Sequence, residues 1–220
     1  MKVLNLYACL GGNRLKWDSI DPNIEVVAVE NDPELVRLYS ERFPNDKIIL
    51  GDAHQYLLDN YSSYDYIWSS PPCPTHSRAR FWGTGKKNPV YADMSLYQQV
   101  ILLKNNYEGL YTIENVIPYY EPLIAPSKKS HRHLFWTNFK IPFRLDNSTS
   151  FKISDTKDEV KKLCDFHGYD FYKYQGDQRR NKIARNLVHY DLGAMIFERA
   201  YNIYARKNPE QEYDLFNQGP

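Results

Sequence analysis

The 220-residue chain lacks most of the features that would announce a partner outright. It has no charge bias: 28 basic residues stand against 27 acidic ones, a net +1, so any nucleic-acid surface must be local. It is poor in cysteine, with Cys9, Cys73 and Cys164 far apart and no Cys-x-x-Cys pair. That excludes a disulfide framework, gives no thiolate metal site, and points to a reducing compartment. No apolar run reaches membrane-spanning length, and the opening residues 1–6 read as a strand, not a signal peptide. The expectation is a cytoplasmic protein with no membrane contact. There is no internal repeat and no low-complexity segment. Gly-x-Gly-x-x-Gly and a phosphate-cradling lysine are also missing, which argues against a dinucleotide or a triphosphate. The length suits one domain, or one domain with a small appendage.

What is present is alternation. Residues 3–6, 25–30, 47–50, 64–69 and 110–113 read as strands. Asp32 and Pro33 open an amphipathic helix through Phe43, as N-cap and first helical residue, and residues 95–106 form another. Strands alternating with helices predict an α/β fold with a doubly wound, mostly parallel sheet. The second half is less regular. Residues 134–136 and 139–141 look like strand material, 157–166 like a short helix, and 168–176 like a tyrosine-rich irregular stretch. One long helix is expected over 183–205 and a frayed tail after it.

Chemistry concentrates at Pro71-Pro72-Cys73. Two prolines after a strand stop both strand and helix and present the next side chain, a thiol, at the sheet's carboxyl edge. Ligands of open α/β sheets bind at that edge, so the thiol is a candidate nucleophile, although a lone cysteine is also commonly a small buried residue. Tyr7-Ala8-Cys9-Leu10-Gly11-Gly12 forms a glycine turn after the first strand, which suits close approach of a nucleotide-like ligand. Glu30 ends the second strand, placed for ribose hydroxyls, and Asp52 follows the third, suited to an exocyclic amine.

With Glu114-Asn115-Val116 later in the chain, these motifs stand in an order that resembles the C5-cytosine DNA methyltransferase family. The likeness spans about residues 2 to 200. Ser77 matches a further family position. Residues 131–138 resemble the family's arginine-bearing strand, closest to animal de novo methyltransferases, and Asn186 and Val188 resemble the segment closing the cofactor pocket. The resemblance implies a Rossmann-like S-adenosyl-L-methionine (AdoMet)-dependent methyltransferase fold. It implies AdoMet across Tyr7, Ala8, Leu10, Gly11 and Gly12, with Glu30 and Asn31 at its ribose, Asp52 and Ala53 at its adenine, and Pro72, Asn186 and Val188 completing the pocket. Cys73 would add to C6 of a flipped-out cytosine, Glu114 would hold its N3 and amino group, and Asn115 would help position it. His76, Arg78 or Arg80 would favour the thiolate. The organisation implied is a catalytic core over 1–144, a short target-recognition insert over 145–178, a C-terminal helix over 179–207 completing the core, and a flexible tail over 208–220.

The chain departs from the family in three places. Cys9 replaces a motif glycine, which is tolerable if φ there is not strictly positive. Pro74 replaces a common glutamine. The family's paired arginines align with His131 and His133, and strand alternation would turn Arg132 away from both. Either a histidine, His133 being the candidate, does the arginine's work or the register shifts locally. Ser77, Arg78, Arg80, Lys86, Lys87, His131, Arg132, Arg179 and Arg180 are expected to contact nucleic acid from three acid-free stretches. The partner expected is double-stranded, cytosine-containing DNA, in a compact enzyme of bacteria or their phages, with oligomeric state open. An RNA cytosine methyltransferase and an inactive AdoMet- or nucleic-acid-binding relative are the alternatives.

Overall fold

Short polar caps start the helices, as their chemistry requires. Asp32 accepts the amides of Glu34 and Leu35, with Pro33 in the first turn, and launches α1 (Pro33–Arg42). Asp52 does the same for α2 (Ala53–Asn60), a helix of eight residues too short to show a periodic stripe and not anticipated from the sequence. Then come α3 (Ser95–Asn106) and α4 (Glu159–His167), the latter closed by Gly168 at φ 60°. The single helix expected over 183–205 is instead two, α5 (Arg180–Asn186) and α6 (Tyr190–Lys207). Leu187 leaves helical geometry at ψ 126°, and His189 accepts the Asp191 amide to cap α6. The break brings the Val188 carbonyl against Gly12, where an added Cβ would lie 2.3 Å from it.

These helices flank one sheet in the computed structural model, which describes residues 1–81, 88–130, 132–141 and 158–209. Its strands are β1 (Lys2–Leu6), β2 (Glu25–Glu30), β3 (Lys47–Leu50), β4 (Tyr66–Ser69), β5 (Leu110–Val116), β6 (Lys128–Ser130) and β7 (His133–Thr137). They lie in the order β3-β2-β1-β4-β5-β7-β6. The first five run parallel, and β7 is antiparallel to both β5 and β6. This is a Rossmann-like, doubly wound and mostly parallel α/β fold. Three details differ from expectation: β6 was not foreseen, residues 139–141 form no strand, and β5 runs on to include Glu114, Asn115 and Val116.

Alternation along the strands loads both faces of the sheet. Leu4, Leu6, Val27, Val29 and Ile67 pack against α2 and α3. Val3, Val26, Tyr66 and Trp68 pack with Trp17 against Leu192, Ile196 and Phe197 of α6, with the Trp17 and Phe197 rings stacked at 4.7 Å. The described part of 145–178 shares a cluster with the core: Leu163, Phe171 and Tyr174 meet Leu10, Leu35 and Leu38 of the glycine turn and α1. The rest of that segment, and positions 210–220 of the tail, fall outside the described residues. Arg14, just after the glycine turn, is buried against Asp46 through bonds of 2.8 and 3.0 Å and reaches Asp18 at 2.7 Å. The Arg14 and Asp46 charges are both buried, so each depends on the other and the turn is pinned to the α1–β3 connection.

Candidate functional site

The chain order of the sheet reverses between β1 and β4, whose connections leave in opposite directions. The crevice outside the carboxyl ends of these two strands is where such a sheet takes a ligand. Both motif loops open there.

After β1 the backbone is contorted, with φ 55° at Tyr7, 48° at Cys9 and 64° at Gly11. The condition under which Cys9 would be easily tolerated is not met: its φ of 48° is the left-handed conformation that a glycine adopts at no cost. For a residue with a side chain this costs roughly 1–2 kcal/mol. The cost is offset by Glu30, which is buried and accepts the Cys9 amide at 2.9 Å, the Asn31 amide at 2.9 Å and the Asp32 amide at 3.1 Å. Burial raises the Glu30 carboxyl pKa, and the three amides oppose that rise. At Cys9 the usual order of small residues should therefore invert. Cys9→Gly should be more stable than Cys9→Ala by roughly 0.5–1 kcal/mol, read from denaturant midpoints, and a more stable alanine variant would remove the strain argument.

Asp52 spends Oδ1 on the α2 cap, accepting His54 N–H at 2.8 Å and Gln55 N–H at 3.3 Å; its Oδ2 makes no hydrogen bond among the described residues. An exposed acceptor at Asp52 and a buried carboxylate at Glu30, one strand apart, suit the amine and the ribose diol of an adenosine. The donor set therefore fits AdoMet. Not every expected cofactor residue offers a side chain, however. Ala8, Leu10 and Val188 pack into core clusters and present backbone only, as do Gly11 and Gly12, while Ala53 is buried as the first residue of α2 and Asn31 is exposed.

After β4, the nucleophile loop encloses a cavity of about 90 Å³ lined by residues 70–73 and 114–116 together with Arg132, His133, Arg185 and Asn186. Asn115 fixes the loop: its Nδ2 donates to the Pro71 carbonyl at 2.8 Å, and its Oδ1 accepts the Val116 amide at 2.9 Å. The amides of His76 and Ser77 both donate to the Cys73 carbonyl at 3.0 Å. Asn115 is thus committed to shaping the proline turn. Glu114 is buried, with His133 Nε2 at 3.5 Å. Burial lifts the Glu114 carboxyl to about 7, while the Ser70 hydroxyl and the Arg132 charge pull it down. The Cys73 thiol rises to about 11 through burial and the Glu114 charge, against the pull of Arg132 and Lys182.

Two corrections follow. Arg132 does not turn away from the site. It precedes β7 in a turn, where strand alternation has not begun, and it lines the cavity while donating to the Arg185 carbonyl. The cations beside the thiol are Arg132 and Lys182, not His76, Arg78 or Arg80. His76 is buried with Nδ1 2.5 Å from the Tyr120 hydroxyl, Arg78 Nε donates to the Pro118 carbonyl at 3.0 Å, and Arg80 to the Asn88 carbonyl at 2.8 Å.

The other described residues expected to contact nucleic acid do not line the cavity. Ser77 uses its hydroxyl to accept the Ala79 amide at 3.2 Å. Arg179 and Arg180 are exposed at the start of α5, with Arg180 Nε donating to the Tyr174 carbonyl at 3.0 Å. Lys86, Lys87 and His131 lie outside the described residues. Sequence reasoning missed Ser70, Lys182 and Arg185. Ser70 had a signal, as the residue joining the strand to the prolines. The two α5 residues also lay in marked stretches, Lys182 in the third acid-free one and Arg185 at the start of the segment like the pocket-closing motif, but packing is what brings them to the site: Glu159 of α4 is buried and holds the Arg185 guanidinium at 2.5 Å and Asn181 Nδ2 at 3.1 Å.

Among known proteins, a family model described as C-5 cytosine-specific DNA methylase matches residues 1–116, which include both loops and Glu114. No curated protein matches. Solved structures include a mutant of DNMT2 from Spodoptera frugiperda, at 22% identity and TM-score 0.37 over 52% of this chain and 35% of that one. A conserved hypothetical protein from Streptococcus pyogenes superposes at 12% identity and TM-score 0.41, over 62% of this chain and 83% of that one. TrmN from Thermus thermophilus does so at 17% identity and TM-score 0.36, over 52% of this chain and 33% of that one. The part matched to the insect protein is thus about a third of that protein's length.

Proposed function

The chain belongs to the C-5 cytosine-specific DNA methylase family, and on that premise we propose that it methylates carbon 5 of cytosine in double-stranded DNA through a covalent Cys73 adduct on a flipped-out base. The observation that carries this reading is the convergence of Cys73, Glu114 and Arg132, from three separate parts of the chain, on one small cavity at the carboxyl ends of β4 and β5.

Each group has a task in that reaction. The Cys73 sulfur bonds to C6, and the electron pair of the C5–C6 double bond moves into the ring. Glu114, a carboxyl lifted to about 7, delivers a proton to N3 as that charge arrives. Arg132 is the permanent cation facing the same charge, the outcome that a local shift of register would give in place of His133. AdoMet, when bound by Glu30, Asp52 and the turn after β1, supplies the methyl group to C5. Loss of the C5 proton to water then expels the Cys73 sulfur, and N3 returns its proton to Glu114 as the ring is restored. At pH 7 a thiol near 11 is ionised in only roughly one molecule in 10⁴, so the thiolate must be won within the substrate complex. Base extrusion from a duplex costs a few kcal/mol, offset by contacts to the displaced nucleotide and backbone.

The test is incubation of the full chain with methyl-labelled AdoMet and separate DNA and RNA pools. Label is expected in DNA as 5-methylcytosine. Label in RNA alone would overturn the substrate, and label in neither would overturn the activity.

Arg78 and Arg80 bond to backbone carbonyls that leave their charge unneutralised. Replacing both with glutamate should weaken DNA binding and flatten its dependence on salt by roughly one unit of slope per lost phosphate contact. Fluorescence anisotropy across a salt series measures that slope. An unchanged slope would assign the loop to solvent.

A further inference from the structure

A glutamine occupies the apolar stripe of α3, where Leu96, Val100 and Leu103 pack on the sheet. Gln99 is 1% exposed, yet all its hydrogen-bonding groups are engaged. A buried amide is tolerated only when so satisfied. Its Oε1 accepts from the Ser69 hydroxyl at 2.6 Å. Its Nε2 meets the Tyr7 hydroxyl at 2.8 Å and His54 Nδ1 at 3.1 Å. These three partners are the residue that follows β1, the last residue of β4 and a residue of the first turn of α2. Tyr7 is the left-handed residue that begins the turn after β1. Ser69 immediately precedes the nucleophile loop and is itself fully buried. His54 donates its amide to Asp52, the carboxylate suited to an adenine amine.

We infer that Gln99 is a positioning residue of the cofactor recess: from α3 it ties the Tyr7 turn to the end of β4 and to the Asp52 turn, fixing the cofactor's walls relative to Cys73. The inference rests on the AdoMet reading of that recess. Two donors and one acceptor on one planar group are needed at this point. Neither a carboxylate nor an apolar side chain supplies them, so the role belongs to the amide itself. Transfer between two bound groups is sensitive to their separation, so a loosened joint between β1 and β4 weakens both binding and alignment.

The test is calorimetric titration of the full chain with S-adenosyl-L-homocysteine, alongside melting curves. Gln99→Met keeps the volume and removes all three bonds, and its dissociation constant should rise at least tenfold below its melting transition. Tyr7→Phe removes one hydroxyl and should weaken binding by a smaller factor. The double variant should bind no more weakly than Gln99→Met alone, because both act through the same bond. A folded Gln99→Met that binds like the wild type, or factors that multiply in the double variant, would overturn the role. Should Gln99→Met fail to fold, Tyr7→Phe decides: weakened binding supports the role, and wild-type affinity overturns it. A wild-type chain that binds neither S-adenosyl-L-homocysteine nor AdoMet would instead overturn the cofactor reading.

Discussion

The wild type is expected to form a covalent complex with DNA carrying 5-fluorocytosine in the presence of AdoMet, and Cys73→Ser should abolish it. Fluorine at C5 cannot leave as a proton does, so a chain that has attacked C6 stays attached. A serine hydroxyl is far less acidic than even a thiol raised to about 11, so the Arg132 and Lys182 charges that favour the thiolate would not ionise it. Turnover should fall by roughly a thousandfold or more, the scale seen when a nucleophile is removed from a working site. AdoMet binding should stay intact. The loop is held by its backbone and by Asn115, through the Cys73 carbonyl and the Pro71 carbonyl, and not by the thiol. Denaturing electrophoresis of the DNA complex reads the adduct. A wild-type chain that methylates DNA but is never trapped would end the covalent mechanism.

Glu114→Gln should lower turnover by roughly two to four powers of ten, the usual worth of a positioned acid. The same change should make Cys73 more reactive toward iodoacetamide, because it removes the negative charge that helps hold the thiol up. The opposite movement of the two readouts separates lost acid catalysis from lost structure. The pH dependence follows from the directions of both shifts. The reacting state carries one proton between the two groups, on Glu114, with Cys73 as thiolate. Below about 7 both groups hold protons, so kcat/KM should rise with pH through that value and then level toward about 11. Glu114→Gln should lose the limb near 7 and climb steadily until the thiol ionises. A variant with wild-type turnover, or one that keeps the limb near 7, would make Glu114 a structural residue.

Much of the fold was legible in local chemistry. Asp32-Pro33 marks α1, strand periodicity locates β1, β2 and β3 within a residue, and Pro71-Pro72 marks where β4 must end. These signals act over a few residues and need no partner. Less legible were elements whose stability is supplied from elsewhere. β6, three residues long, exists because β7 pairs with it. The α5–α6 break over 187–189 contains no glycine or proline, and its cause lies against Gly12, far away in the chain.

The site divides along the same line. Which residue types could do chemistry, Cys73, Glu114, Glu30 and Asp52, was determined by the sequence alone, because motif order and strand ends name them. Which of their neighbours face them was decided by the tertiary structure. Arg132 reaches the cavity because it belongs to a turn, while the two-residue alternation that would aim it elsewhere begins one residue later. Asn115 is turned to a backbone carbonyl, Lys182 and Arg185 arrive on a helix anchored by Glu159, and Gln99 joins three strand and helix ends from within a core stripe. A side chain's direction depends on the backbone conformation at that residue, and its charge state on how deeply its neighbours bury it. Both are properties of the packed chain, and a linear pattern of residue types does not contain them.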